Sequence, residues 1–295
     1  MSEPLTVLII CKNEAQHIHA CIESARSVAD EILLADSGST DNTLEIARQL
    51  GGVHIIQREF VDYGSFRNWA VPQATSPWVL ILDADERLTP SLSSEILKIL
   101  YDPPDGIDGY WIRARFYFLG HEIRHGGWGT HRNLRLFRRE LGRYGPQRVH
   151  ESPNIARRRT RKLRRPLVHF SISSYDDYFR KYVTYTRLGA SDMWEAGERT
   201  GRWKLSVRPF LRFAWLYFVR LGFLDGLAGL QICMLQAFFV SFVKQARLWE
   251  KEQLVSQLSS LSEQVADTNT RHAETPVLES SFASGQEHVK ECQPV

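Results

Sequence analysis

Of 295 residues, 43% are hydrophobic and 24% charged, which supplies a full globular core and excludes a disordered or fibrous chain. The net charge of +3 hides an asymmetry: residues 1–110 carry 7 Lys and Arg against 17 Asp and Glu, whereas residues 111–165 carry 16 against 3. An acidic half followed by a basic one suits a metal site facing an anionic ligand, with an acceptor or a membrane on the other side.

Leu5 to Ile10 is an unbroken apolar, β-branched run, followed by Lys12-Asn13-Glu14 and a helical pattern to about Val28. Glu31 to Ala35 reads as a second strand, Asn42 to Leu50 as a short helix, and Val53 to Gln57 as a third strand. Ser65 to Ala74 is helical up to Pro77, and Trp78 to Leu82 is a fourth apolar run. Continuous rather than alternating apolar runs, separated by helices, predict a parallel sheet buried on both faces. The class is α/β. Gly109 to Phe118 and Asn133 to Arg138 read as further strands, the second placing Leu134 and Leu136 opposite Arg135 and Phe137. Residues 119–132 read as a glycine-rich loop or hairpin tip, Arg157 to Arg165 as a solvated basic excursion, and Tyr175 to about Glu195 as helix.

Residues 205–249 differ from the rest. Pro209 to Val219 is apolar and aromatic, and Leu221 to Val243 holds one formal charge, Asp225. That span is long enough to cross a bilayer, but three glycines, Asp225, Gln231 and Gln236 weigh against it. Arg208, Arg212 and Arg220 beside Trp215, Tyr217 and Phe218 fit a helix lying in a membrane interface. An interfacial or re-entrant helix, a true span and a buried hairpin all remain open. The expected organisation is a catalytic domain over 1–200, hydrophobic membrane-associating helices over 201–250, and a polar tail over 251–295, disordered beyond about 265. Cys11, Cys21, Cys233 and Cys292 show neither metal spacing nor a disulfide framework and read as reduced thiols of a cytosolic protein. Met1 to Pro4 runs straight into a strand, so no signal peptide is expected.

Two acidic turns end two of the buried runs: Asp36-Ser37-Gly38-Ser39-Thr40-Asp41 and Asp83-Ala84-Asp85. Ligands bind outside the carboxyl ends of strands in open α/β sheets. Residues i and i+2 of an extended segment point the same way, so Asp83 and Asp85 can serve one Mg2+ or Mn2+, which takes a carboxylate or two plus substrate phosphates. The bland alternative is a solvated loop. Asp36 to Thr43 can also be a strand-to-helix turn with Asp41 as N-cap.

Lys12-Asn13-Glu14, Asp36-Ser37-Gly38-Ser39-Thr40-Asp41 and Asp83-Ala84-Asp85, in this order, resemble glycosyltransferase family 2 with its GT-A nucleotide-diphosphosugar fold. Gly127-Trp128, Arg135-Leu136-Phe137-Arg138 and Val149-His150-Glu151 resemble the branch containing lipopolysaccharide-core β-glucosyltransferases. The resemblance covers residue 5 to about 249. It implies a mainly parallel sheet with flanking helices, followed by the C-terminal hydrophobic helices. It implies nucleotide contacts, most often to uridine, from Glu14, Asp36 and Asp41 with their neighbours Lys12, Asn13 and Ser37. Asp83 would lie near ribose and metal, Asp85 would ligate the metal, and Glu151 would be the catalytic base.

Inverting transfer needs one carboxylate to take the acceptor hydroxyl's proton. Glu151 stands among basic residues that would keep it ionised, but it can equally be a salt-bridge partner for Arg148 or Arg135. His150 can orient Glu151, contact diphosphate or be structural; His169 reads as structural. Arg132, Arg135 and Arg138 can neutralise the diphosphate or be solvated strand residues, with Arg135 the first choice. The Arg157 to Arg165 run lacks interleaved aromatics, so an anionic lipid surface is expected in place of nucleic acid.

The expected function is metal-dependent inverting transfer from a nucleotide-diphosphosugar to a lipid-linked or saccharide acceptor, at the cytoplasmic face of a bacterial inner membrane. Alternatives are a same-fold transferase acting on a peptide side chain, and a non-catalytic membrane-associated binding protein. A processive synthase is disfavoured, because Gln245-Ala246-Arg247-Leu248-Trp249 departs from Gln-x-x-Arg-Trp.

Overall fold

The computed structural model describes residues 2–145 and 153–273, with side chains described to Ser262. Strand and helix alternate at first: β1 (Leu5–Cys11), α1 (Ile18–Ala25), β2 (Glu31–Asp36), α2 (Thr43–Leu50), β3 (His54–Gln57), α3 (Tyr63–Ala70) and β4 (Trp78–Asp83). The unbroken apolar runs become interior strands. β1 lies between β2 and β4, parallel to both, and β3 adds in parallel outside β2. Helices cover both faces, so apolar side chains are useful at every position of β1 and β4.

Next come β5 (Glu86–Arg87), α4 (Pro90–Tyr101), β6 (Gly109–Phe118), β7 (His121–Ile123), β8 (Arg132–Arg138), β9 (Thr160–Lys162) and β10 (Leu167–Ile172). The sheet order is β3-β2-β1-β4-β8-β6-β10-β5, with β7 and β9 both paired to β6. β8 runs antiparallel to β4 and β6, so the sheet is mixed in its second half. Between β4 and β5 the chain has only Ala84 and Asp85, yet three strands separate them in the sheet. The sheet must therefore curl, carrying β8, β6 and β10 round until β10 meets β5. This closure places the acidic turn after β4 against side chains of β8 and β10.

Several local readings change. The segment Pro90–Tyr101 is helical, with Thr89 Oγ1 accepting from Leu92 N at 3.2 Å, proline at the first helical position and Leu92, Ile96 and Leu100 buried. Arg157 to Arg165 is not a free excursion: its Thr160–Lys162 pairs with β6 as an edge strand, and Arg159 forms an ion pair with Asp108. Leu134, Arg135, Leu136 and Phe137 are all buried, because β8 is a central strand covered on both faces.

α5 (Tyr175–Glu195) is capped by the Ser174 hydroxyl, which accepts from Asp177 N. Then follow α6 (Arg202–Ala214), a π-helical stretch Trp215–Val219, a 3-10 turn Gly222–Asp225, α7 (Gly226–Met234), a second π stretch Leu235–Ser241 and α8 (Phe242–Ala273). Residues 1–250 form one compact unit; residues 251–295 form a second, whose described part is the run of α8 to Ala273. Within the first unit, Ile232 and Val240 pack with Phe118, Ile123, Ile172 and Tyr178. The Asp225 carboxylate accepts from the backbone of Arg124 and His125 and pairs with His125 Nδ1 at 2.8 Å. Gly229 is required by proximity, since a Cβ there would meet Gly222 O at 2.0 Å. Phe210, Trp215, Phe218 and Leu227 of these helices are exposed. Gly222–Ser262 is long and apolar enough to cross a membrane by length and composition, with 28% of its most apolar window buried.

Candidate active site

The ends of β1 and β2 are stitched into one ledge by hydrogen bonds between their following loops. Asn13 takes a left-handed backbone (φ 55°), its N–H donates to Ser39 Oγ at 2.9 Å, and its Oδ1 accepts from Thr40 N at 2.7 Å. Glu14 N donates to Thr43 Oγ1 at 2.8 Å, and Ala15 N to Asp41 Oδ2 at 3.2 Å. Asp41 also accepts from Thr43 N at 3.0 Å, so it anchors the start of α2 as the turn reading expects, although the formal N-cap is Asn42. Lys12 is exposed at the rim.

Asp36 is fully buried. Its carboxylate accepts from Gly38 N and Ser39 N at 3.1 Å and from Gln57 Nε2 at 3.2 Å. Burial would raise its pKa, but these bonds outweigh it and hold the group below the usual carboxylate range. Gly38, at φ +94°, supplies the left-handed turn that lets this happen. Ser37 is likewise buried, its hydroxyl donating to Cys11 O at 3.1 Å. Asp36 and Ser37 therefore set the ledge's shape, while Asn13, Glu14 and Asp41 form its surface.

The turn after β4 is built from charge. Arg135 of β8, 7% exposed, donates from Nη2 to Asp83 Oδ2 at 2.7 Å and to Glu86 Oε1 at 2.6 Å. Glu86 Oε2 also accepts from Asp83 N at 3.0 Å. Arg135 thus lies under the turn as its buried counter-ion, with both contacts made from Nη2. Burial pushes Glu86 up to about 7 against the pull of Arg135. Asp83 sits lower than usual, because Arg135 and Arg67 (Nη2 at 3.7 Å) overcome its desolvation.

Asp85 meets two cationic groups that the acidic motif alone does not reveal. His169 Nε2 of β10 lies 3.2 Å from Oδ1, and Lys181 Nζ of α5 lies 3.0 Å from Oδ2. These partners hold the carboxyl far below its ordinary range despite burial. His169 is raised in turn, the Asp85 carboxylate outweighing desolvation. His169 was readable only as a structural histidine before Phe170; its importance comes from the curl of the sheet, which pairs it with Glu86 across β10 and β5. Lys181 carries no motif. Its ammonium is ringed by Asp85, Asp177 (3.4 Å), Glu14 (3.7 Å) and Ser171 O (3.3 Å). Glu14, at 17% side-chain exposure, is pushed up to about 7 by burial, with Lys181 pulling the other way.

Oxygen-rich surroundings with one imidazole are the donor chemistry of a hard or borderline divalent cation. Among the described residues no three acid, histidine or thiol groups form a ready-made cage. The fit is for Asp85 with His169 as protein ligands and Asp83 beside them, leaving the remaining positions to phosphate and water. The Lys181 ammonium already holds the position facing Asp85 Oδ2. Glu151 and His150 lie outside the described residues.

Residues 6–183 match the family described as glycosyl transferase family 2. The chain is 33% identical over 260 residues to the lipopolysaccharide core biosynthesis glycosyltransferase LpsC of Rhizobium meliloti (strain 1021), covering 85% of this chain and 94% of that protein. It is 26% identical to an uncharacterised glycosyltransferase of Rickettsia felis, over 84% of this chain and 90% of that one. A mannosyltransferase from Pyrobaculum calidifontis, solved with GDP-Man and Mn2+, is a remote structural likeness, with a TM-score of 0.49 and 18% identity over 90% of this chain and 81% of that one.

Proposed function

The chain belongs to glycosyltransferase family 2, and on that premise we propose that it moves a sugar from a nucleotide-diphosphosugar, a UDP-sugar first, to a lipopolysaccharide, glycolipid or saccharide acceptor, with inversion and with a divalent cation. The observation that carries this reading is convergence. The ends of β1, β2 and β4 bring Glu14, Asp41, Asp83 and Asp85 to one sheet edge, where Lys181 touches both Glu14 and Asp85. On this reading the ledge of Asn13, Glu14 and Asp41 receives the nucleoside, with Lys12 at its rim and Asp36 and Ser37 holding its shape.

A Mg2+ or Mn2+ ion at Asp85 and His169, beside Asp83, would offset the charge that develops on the departing diphosphate. The chain's own contribution is to fix these ligands: Arg135 and Glu86 clamp the turn that carries Asp83 and Asp85. Lys181, freed from Asp85, has the reach to meet a phosphate oxygen. The family resemblance assigns Glu151 the removal of the acceptor hydroxyl's proton. The exposed Phe210, Trp215 and Phe218 beside Arg208 and Arg212 would suit an anionic bilayer surface holding the acceptor, which supports a working position at the cytoplasmic face of the inner membrane.

The test is a screen of nucleotide sugars with Mn2+, read as nucleoside-diphosphate release by the full chain. Release from one donor, abolished by chelator, is expected. Silence with every donor would overturn the reading.

A further inference from the structure

A second cluster of charge lies on β6, and neither the ledge nor the acidic turn uses it. Along its length β6 exchanges one antiparallel neighbour for another: Gly109–Arg113 pairs with β8, and Phe116–Phe118 pairs with β7. A cleft of about 350 Å3 opens by that exchange, lined by Arg113, Ala114, Arg115, Glu122, Arg124 and Gly129 among others. Its volume falls within the range of small-molecule sites.

The charges lining it do not cancel. Among the described residues Glu122 is the one acid in the lining, and it is taken by Arg124 at 2.9 Å. Among the described residues, no carboxylate pairs with Arg113 or Arg115. Arg113 stands directly across from Arg132 in the β6–β8 ladder, an opposition of like charges that a sheet does not favour. Arg113 Nε is moreover buried with no acceptor. A buried donor with no protein acceptor among the described residues calls for an explanation, and an anion that draws the guanidinium onto itself provides one. Guanidinium groups present paired N–H donors that match the oxygens of phosphate or carboxylate.

The strand that lines the cleft also pairs with β10, although Arg113 and Arg115 alternate onto the face opposite Ala114 and Phe116. Ala114 pairs with Leu167, and Phe116, two residues on, pairs with His169. That spacing is about 7 Å along a strand. His169 is the residue that touches Asp85.

We propose that this cleft is an acceptor subsite for an anionic group, a phosphate or a carboxylate carried by the saccharide or glycolipid that receives the sugar. This rests on glycosyl transfer being the reaction, and it narrows the acceptor to an anionic class. The probes are glucose 6-phosphate, glucuronic acid and glucose, titrated calorimetrically into the full chain without donor. Glucose 6-phosphate or glucuronic acid is expected to bind at least about tenfold tighter than glucose, and the tighter of the two identifies the anion. R113Q/R115Q should bring all three to the same weak level while leaving donor hydrolysis unchanged. Should the double variant fail to fold, Arg115→Gln, at an exposed position, is expected to remove part of the preference. Equal binding of the three probes by the wild-type chain, or a preference that survives both variants, would overturn the subsite. Loss of donor hydrolysis in the wild-type chain would instead overturn glycosyl transfer, so the two failures are distinguishable.

Discussion

The nucleotide ledge and the turn after β4 lie at one sheet edge, but different forces hold them. In the ledge, Asp36 and Asp41 are satisfied by backbone N–H groups and hydroxyls of their own and the neighbouring loop. In the turn, Asp83, Asp85 and Glu86 are satisfied by side-chain cations from β8, β10 and α5. Backbone donors are fixed in place, so the ledge is a rigid mould. A lysine is a flexible cation, so an incoming metal cation can take its place beside Asp85. The contrast separates shape from charge: the ledge is held by fixed backbone donors, and the turn by side-chain cations that can be displaced.

The largest effect should come from removing the one cation in the turn that cannot leave. Arg135→Met strands Asp83 and Glu86 against each other in the interior, and breaking a buried ion pair from one side destabilises by about 3–5 kcal/mol. Urea unfolding should show that loss, and Arg135→Met/Glu86→Gln should recover a good part of it. If the single variant unfolds like the wild type, the clamp is not what holds the turn.

Asp85→Ala should leave the fold intact and lower nucleoside-diphosphate release about 10^2- to 10^3-fold, the magnitude expected when one preorganised electrostatic contact is lost. The same substitution should abolish Mn2+ binding measured by electron paramagnetic resonance. A ledge-only active site would predict neither result.

The pH dependence of stability draws on both regions, since Glu14 and Glu86 are each raised to about 7, and substitution isolates the Glu14 share. The Glu14 carboxyl rises from an ordinary 4.5 to about 7 in the folded chain. A raised carboxyl contributes stability that is complete below its unfolded pKa and lost as pH climbs through the folded value. The metal-free protein should therefore lose up to about 3 kcal/mol between pH 4.5 and pH 7 from this group. Glu14→Gln should flatten that part of the Tm profile. An unchanged profile would mean that Glu14 is solvated and not part of the charged pocket.

Lys181→Met tests whether the ammonium stands in the cation's place. Removing a competing charge 3.0 Å from Asp85 Oδ2 should tighten Mn2+ binding by about tenfold in the absence of donor. With donor present the gain should shrink, because the displaced lysine no longer meets the diphosphate. Mn2+ affinity that is weaker in the variant under both conditions would make Lys181 a structural support alone.

How far these two regions could be read from sequence follows from how each is made. The ledge is local: Asp36 to Asp41 lies within one turn, and its helix-starting role is visible in the spacing to Thr43. The α/β class was legible for a similar reason, since apolar runs report a strand buried on both faces wherever it later pairs. The charged turn is not local. Arg135 is 52 residues from Asp83, and Lys181 is 96 from Asp85. His169 joins them only because β5 closes the curled sheet against β10. No spacing rule encodes that closure, so the sequence left Arg135 open between diphosphate contact and a solvated strand position, and showed neither its pairing with Asp83 and Glu86 nor that of His169 with Asp85. The helix Pro90–Tyr101 was a different omission, since its Thr89 cap, its proline and its buried Leu92, Ile96 and Leu100 were present in the sequence.

The smallest expected effect sharpens the contrast from the ledge side. Asp41 accepts from Thr43 N at 3.0 Å and Ala15 N at 3.2 Å, so Asp41→Ala frees two backbone donors at an exposed loop. Water can satisfy both, and losing such a helix-start acceptor costs about 1 kcal/mol. Asp41→Asn keeps one oxygen and should recover half or more of that in urea unfolding. If Asp41 also binds the nucleoside, nucleoside-diphosphate affinity should fall in both variants by more than stability does, and the asparagine should not restore it. Affinity that simply follows stability would leave Asp41 a purely structural member of the mould, and the nucleoside would then be held by Asn13, Glu14 and the backbone between them.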